Sequence, residues 1–199
     1  MEHRVAIILP CYEACHFTNQ VLGALLKYYD PMVRELFFLD NGSSDETWLI
    51  LNSWGDRFRT LDNISCNILR NSGNVGFGPA VNQCIERVGK DITDICVFNN
   101  DILIRENWLY WLTYMMDKYE NLGQASPFIL HSPTLTEGAF ETMELSHKNP
   151  GSEEIIFQRN TFPGNPWMFR KQVFDEIGVF DDRFVFGCYE DADIQIRML

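Results

Sequence analysis

The sequence predicts an α/β fold: a mostly parallel central sheet flanked by helices. Three observations predict it. Residues 5–9 are a short continuous apolar run, as in a strand covered on both faces, 36–39 a second buried strand, and 66–69 and 94–98 two further short strand segments. Segments of helical period separate them, giving the order β-α-β-α-β-α-β with right-handed crossovers. Each of the four also ends in a polar cluster, after Leu9, Leu39, Leu69 and Phe98. Ligands of such sheets sit at the carboxyl ends of the strands, so the four clusters mark one site.

Val5-Ala6-Ile7-Ile8-Leu9 is the first strand. Phe17, Val21, Leu22, Leu25 and Leu26 then fall on one helical face that ends before Asp30-Pro31. Leu36 to Leu39 is the second strand. The NGSSDET stretch after it reads as a capping box, Ser43 with Glu46, opening a helix through Trp54. The third strand, Cys66 to Leu69, leads into the glycine-rich NSGNVGFG at 71–78 and a helix with Val81, Cys84, Ile85 and Val88 on one face. The fourth strand, DICVF, meets Asn99-Asn100-Asp101 directly.

Beyond an aromatic-rich helix at 108–119 the pattern changes. Residues 123–170 read as a small mixed β region, with turn signals at Ser132-Pro133, Asn149-Pro150-Gly151 and Pro163-Gly164. A short helix over 171–178 ends at Gly178, and a last helix begins near Glu190. No repeat or linker divides the chain, so residues 1–199 are expected to form one domain, with halves at 1–101 and 102–199.

Charge narrows the function classes. With 28 acidic and 16 basic residues the net charge is −12, which repels nucleic-acid phosphates and anionic membranes. It leaves room for a small anionic ligand held by local amides and a divalent cation. The six cysteines show no zinc spacing, and free thiols in a reducing cytosol are the expectation. His3, His16, His131 and His147 lack companions for a triad or metal site and read as surface or loop residues. The amino-terminal apolar run is a strand rather than a signal peptide, and no stretch nears the ~20 apolar residues of a membrane span. A cytoplasmic protein follows, peripheral to a membrane only through partners.

Four segments carry a resemblance: ILPCYE at 8–13, LDNGSSDET at 39–47, NSGNVGFGPAVNQ at 71–83 with VFNND at 97–101, and FDDRFVFGCYEDADIQIR at 180–197. In order and spacing they resemble the family 2 glycosyltransferases of the GT-A (Rossmann-like) fold, most closely the rhamnosyltransferase-like members. The resemblance implies an inverting transfer of a sugar from a UDP- or dTDP-linked donor to a hydroxyl acceptor. Residues 1–101 would be the nucleotide-binding half and 102–199 the acceptor-side half.

Site residues follow from the same resemblance. Asp40 would accept from the imide N–H of the base, with Tyr12 against the ring. Pro10, Glu13, Asn71, Gly76 and Asn100 would line the donor. A plain turn role for Asp40 stays open, and Ser43 and Asp45 read as a helix cap and a first-turn anion. Asp101 matches the second carboxylate of the family's D-x-D, with Asn99 in the first place. One carboxylate plus diphosphate oxygens and water suits Mg²⁺ or Mn²⁺.

Glu190-Asp191 with Asp193 matches the family's base motif, with Asp191 preferred as base and Glu190 the alternative. At a helix amino terminus both are expected to be ionised. Asp193 is expected to pair with Arg197, four residues on. Gly164 and Trp167 would face the acceptor, Trp167 stacking on a sugar or simply filling the core. The acceptor would be a glycan, lipid-linked or protein hydroxyl, with nucleic acid disfavoured.

Family members continue past the base helix, often with a metal-binding His, so the resemblance implies truncation at the carboxyl end or a minimal form. Two rivals remain at this level. A non-catalytic nucleotide-sugar-binding module is favoured by Asn99. A sugar-1-phosphate nucleotidylyltransferase is disfavoured because Pro-Cys-Tyr-Glu stands where its glycine-rich loop with Arg and Lys belongs.

Overall fold

The computed structural model describes residues 2–127, 165–184 and 189–198. Their strands form a six-stranded sheet in the order β3-β2-β1-β4-β6-β5. The four expected strands are β1 (Val5–Cys11), β2 (Val33–Asp40), β3 (Ser65–Arg70) and β4 (Asp94–Val97), all parallel. The short β5 (Gln124–Ala125) pairs antiparallel with β6 (Trp167–Arg170), which in turn lies antiparallel to β4. The expected mostly parallel sheet is what forms; of the mixed region expected over 123–170, residues 128–164 lie outside the described residues.

Every residue of β1 is buried, because both faces of the strand are covered. Val5, Ile7 and Leu9 point to one side. There they meet Val21, Leu22 and Leu25 of α1 (Cys15–Lys27), Leu51 and Phe58 of α2 (Thr47–Phe58), and Leu109, Leu112 and Met116 of α4 (Trp108–Lys118). Ala6 and Ile8 point to the other. There they meet Ala80, Val81 and Cys84 of α3 (Phe77–Ile85), Val173 and Phe174 of α5 (Lys171–Ile177), and Ile194 of α6 (Glu190–Arg197). The period-two alternation of one strand thus divides the core into two layers.

Two expectations need correction. Ser43 and Glu46 make no capping box: α2 starts at Thr47, and Glu46 at its cap makes no side-chain bond. Asp45 does that work instead, accepting from the Thr47 amide at 2.9 Å and, through its other oxygen, from the Cys15 amide at 2.9 Å. Burial opposes the Asp45 charge, but these bonds outweigh it and hold the carboxyl below its usual range.

His3 is not a surface residue. It is 6% exposed, with Nδ1 2.7 Å from Asp94 and Nε2 3.3 Å from Asp117. Asp94 is itself buried on β4, and a partner for its carboxylate is what draws the ring inside. Cys11, Cys66, Cys84 and Cys96 are buried and unpaired, and burial pushes the thiols of Cys66 and Cys84 up to about 11 and about 12. No helix among the described residues is long and apolar enough to cross a membrane.

Candidate active site

The loops after β1, β2, β3 and β4 are drawn together at the carboxyl ends of the strands. Glu13 follows β1 with φ 54°, and Ala14 with φ 57°, two successive left-handed non-glycine residues that turn the chain sharply into α1. The turn is held from the neighbouring loop. Ser43 Oγ accepts from the Glu13 amide at 2.8 Å, and Glu13 Oε1 accepts from both the amide and the hydroxyl of Ser44 at 2.9 Å. From the loop after β4, Asn100 donates to the Glu13 carbonyl at 3.2 Å and to Thr18 Oγ1 at 3.0 Å. Glu13 and Asn100, expected at the donor, therefore spend these polar groups on the frame.

Asn41, which the sequence reading passed over, ties β2 to the glycine-rich turn. Its Oδ1 accepts from Asn71 Nδ2 at 2.9 Å and from the Val75 amide at 3.2 Å. Its Nδ2 donates to Asn74 Oδ1 at 2.9 Å and to the Gly76 carbonyl at 3.1 Å. All four hydrogen-bonding positions of one amide are filled. The two loops approach so closely that a Cβ on Gly42 would lie 2.4 Å from Gly73 Cα, so position 42 admits no side chain. Gly76, with φ 97°, then caps α3 in a conformation open to glycine.

Asp40 is fully buried, with Oδ1 accepting from the Ser43 amide at 2.9 Å and Oδ2 ion-paired with Arg70 Nε at 3.0 Å but without a hydrogen bond among the described residues. The reason is register: Asp40 and Arg70 are the facing last residues of β2 and β3, so the guanidinium folds over the carboxylate. Arg70 also lies over the Trp48 ring, 5.1 Å from its centroid. Gly42, Ser43, Arg70, Asn71 and Ser72 line an open concavity of about 400 Å³ above this pair. Tyr12 is half exposed just past β1, at 49%. Pro10 is buried in β1, opposite Leu39.

At the end of β4, Asn99 is paired edge to edge with Asn165: the Asn99 amide donates to Asn165 Oδ1 at 2.7 Å, and Asn165 Nδ2 donates to Asn99 Oδ1 at 3.0 Å. Asp101 is exposed, and no group among the described residues bonds its carboxylate. No cluster of three or more His, Cys, Asp or Glu side chains able to hold a metal occurs among the described residues. A lone open carboxylate fits a cation that keeps most of its ligands from substrate and water.

The structure separates the two base candidates. Both open α6, as expected, but Glu190 is buried and Asp191 is partly exposed. Burial, with a smaller contribution from the Asp191 charge, raises the Glu190 carboxyl above its usual range and so opposes the helix dipole, which favours the charge. Its Oε2 has no partner among the described residues. Asp191 Oδ1 accepts from the Ala192 amide at 2.8 Å, and no group among the described residues bonds the second oxygen. Asp193 pairs with Arg197 at 2.9 Å, as the spacing predicts. Trp167 is 6% exposed and sets its ring edge-on to Phe77, so it fills the core, and no face is open for a sugar. Gly164 lies outside the described residues.

Against known sequences, the family described as "Glycosyl transferase family 2" matches residues 6–178. The chain belongs to this family. A curated relative, "Probable glycosyltransferase YdaM" of Bacillus subtilis (strain 168), is 23% identical over 208 residues, covering 98% of this chain and 46% of that protein. The chain thus spans about half the length of the relatives it matches.

Two solved structures share the fold. The mannosyltransferase PcManGT from Pyrobaculum calidifontis, in complex with GDP-Man and Mn2+, has a TM-score of 0.69 at 16% identity, over 96% of this chain and 50% of that one. S. aureus TarS 1–349 has a TM-score of 0.70 at 14% identity, over 98% of this chain and 55% of that one. These likenesses place the family 2 chain in the GT-A fold.

Proposed function

We propose that this chain transfers a sugar, with inversion, from a UDP- or dTDP-linked donor to a glycan, lipid-linked or protein hydroxyl. The carrying observation is the set of loops after β1, β2, β3 and β4, bonded to one another at the carboxyl ends of the strands beside the concavity at Arg70, with the open carboxylate of Asp101 at the end of β4. The base is met by Arg70 and Tyr12; Asp40, buried behind Arg70, sets the guanidinium's orientation. Asn71 and the backbone at Gly76 line the diphosphate and ribose path. Asp101 is the residue that would hold Mg²⁺ or Mn²⁺, which when bound neutralises charge on the departing diphosphate. The GDP-Man and Mn2+ held by PcManGT on the same fold support a nucleotide-sugar donor and a divalent ion.

Asp191 is the base, because an acceptor hydroxyl must reach its oxygen within ~3 Å and Glu190 is enclosed. Asp191 takes the proton as the hydroxyl oxygen attacks the anomeric carbon and the nucleoside diphosphate leaves from the opposite face. Asp101→Ala should lower release of UDP from UDP-sugars in the presence of Mn²⁺ by about 100-fold or more while leaving the melting temperature unchanged, the carboxylate being exposed. Undiminished turnover in that variant would remove Asp101 from the site. One observation favours a second reading, nucleotide-sugar binding without turnover: Asn99 is committed to Asn165, leaving Asp101 alone at the end of β4. Tight nucleotide binding with no turnover by the wild type would select it.

A further inference from the structure

Asn82 lies on α3, six residues after the glycine that caps it, and its side chain reaches to a segment about 100 positions away. Nδ2 donates to the Phe180 carbonyl at 2.8 Å and to Asp182 Oδ1 at 2.7 Å, and Oδ1 accepts from the Phe180 amide at 3.1 Å. The side chain is buried, at 6% exposure. Two neighbours on the same helix press on the same target. Phe77 meets the Phe180 ring edge-on at 6.4 Å, and a Cβ on Gly78, one turn before Asn82, would lie 3.2 Å from Phe180 Cβ.

The segment so gripped is also anchored to the helix that carries the proposed base. Arg197, near the end of α6, donates through Nη1 to the Ile177 carbonyl at 2.7 Å and through Nη2 to the Val179 carbonyl at 2.9 Å. Ile194 of α6 shares the core layer of Phe180. A continuous run of bonded groups therefore links the glycine-rich turn, α3, residues 177–182 and α6, which begins with Glu190 and Asp191.

We infer that Asn82 is a positioning residue: it fixes the base helix relative to the donor turn, and so sets the distance between base and anomeric carbon. This rests on the function proposed above. A group that must meet a reacting atom tolerates little displacement, and about 1 Å of misplacement can cost roughly 100-fold in rate. Asn82→Asp keeps the side chain's shape and its bond to the Phe180 amide. It removes both donations and sets a carboxylate against Asp182 and the Phe180 carbonyl.

Hydrogen exchange and steady-state kinetics on the full chain test this together. In Asn82→Asp, amides at 180–184 and 190–197 should exchange about tenfold faster or more, while those at 5–11 and 71–76 stay within about twofold. With UDP-sugar and Mn²⁺, kcat should fall about tenfold or more with donor KM within about twofold. Asp182→Ala, which removes one bond at an exposed partner and leaves the Phe180 bonds intact, should repeat the pattern at about two- to threefold. It decides alone if Asn82→Asp does not fold.

Unchanged exchange at 190–197, or a donor KM that rises as kcat falls, would overturn the inference. If the wild type neither binds nor turns over a nucleotide sugar, the functional reading fails. The exchange pattern still judges whether Asn82 holds the base helix.

Discussion

The loops around the concavity at Arg70 and the segment that opens α6 differ in how they partner buried polar groups. At the first, Asn41 fills all four positions of its amide, and the Asp40 charge is met by the Ser43 amide and by an ion pair with Arg70. At the second, Glu190 is buried with Oε2 unpartnered among the described residues, and no group among them bonds the second oxygen of Asp191 beside it. A filled network is rigid and holds geometry; an incompletely satisfied carboxyl pair is reactive and sensitive to its surroundings. Under the proposed function, the molecule puts its rigidity where a donor would be oriented and its unspent polarity where a proton would move.

The sharpest way to break the comparison is at the base pair itself. Asp191→Asn should lower kcat about 1,000-fold, and Glu190→Gln less than about tenfold, both read as UDP release under saturating donor. The reverse order would assign the proton to the buried carboxyl and make the exposed one its electrostatic neighbour.

Asn41→Ala tests the rigid side. It leaves the Gly76 carbonyl, the Val75 amide and two asparagine side chains without their shared partner, a loss of about 2–3 kcal/mol in denaturant unfolding. Donor KM should rise about tenfold while kcat changes less, because the turn that lines the donor loosens and the base helix does not. The opposite split from Asn82→Asp would then separate orientation of the donor from orientation of the base.

Much of this fold could be read in the sequence because burial on both faces leaves a continuous apolar run at β1 and in the second half of β2, and all four expected strands formed, β3 at the sheet edge only partly buried. The converging loops were legible for the same reason, since each polar cluster follows its strand. What escaped depended on contacts that sequence distance hides. Arg70 meets Asp40 only through the register of two strands, and Asn82 meets Phe180 across 98 positions. Ser43 and Glu46 satisfied a local capping pattern, yet the nearby Glu13 and Cys15 amides offered Ser43 and Asp45 better partners. His3 looked isolated because Asp94 and Asp117 come to it only in the folded sheet.

The smallest expected effect isolates the cost of the unsatisfied carboxyl. Burial raises the folded-state value of Glu190 above that of the unfolded chain, so the folded protein binds its proton more tightly. Stability from this group is therefore complete below the unfolded carboxylate value, about 4.3, and is lost as pH rises through the raised one. Glu190→Gln keeps the shape and cannot ionise. Its melting temperature relative to wild type should climb between acidic and neutral pH and level off above the raised value. A difference that stays flat across that window would mean that Glu190 finds a partner in solution, and the contrast between the two regions would then rest on Asp191 alone.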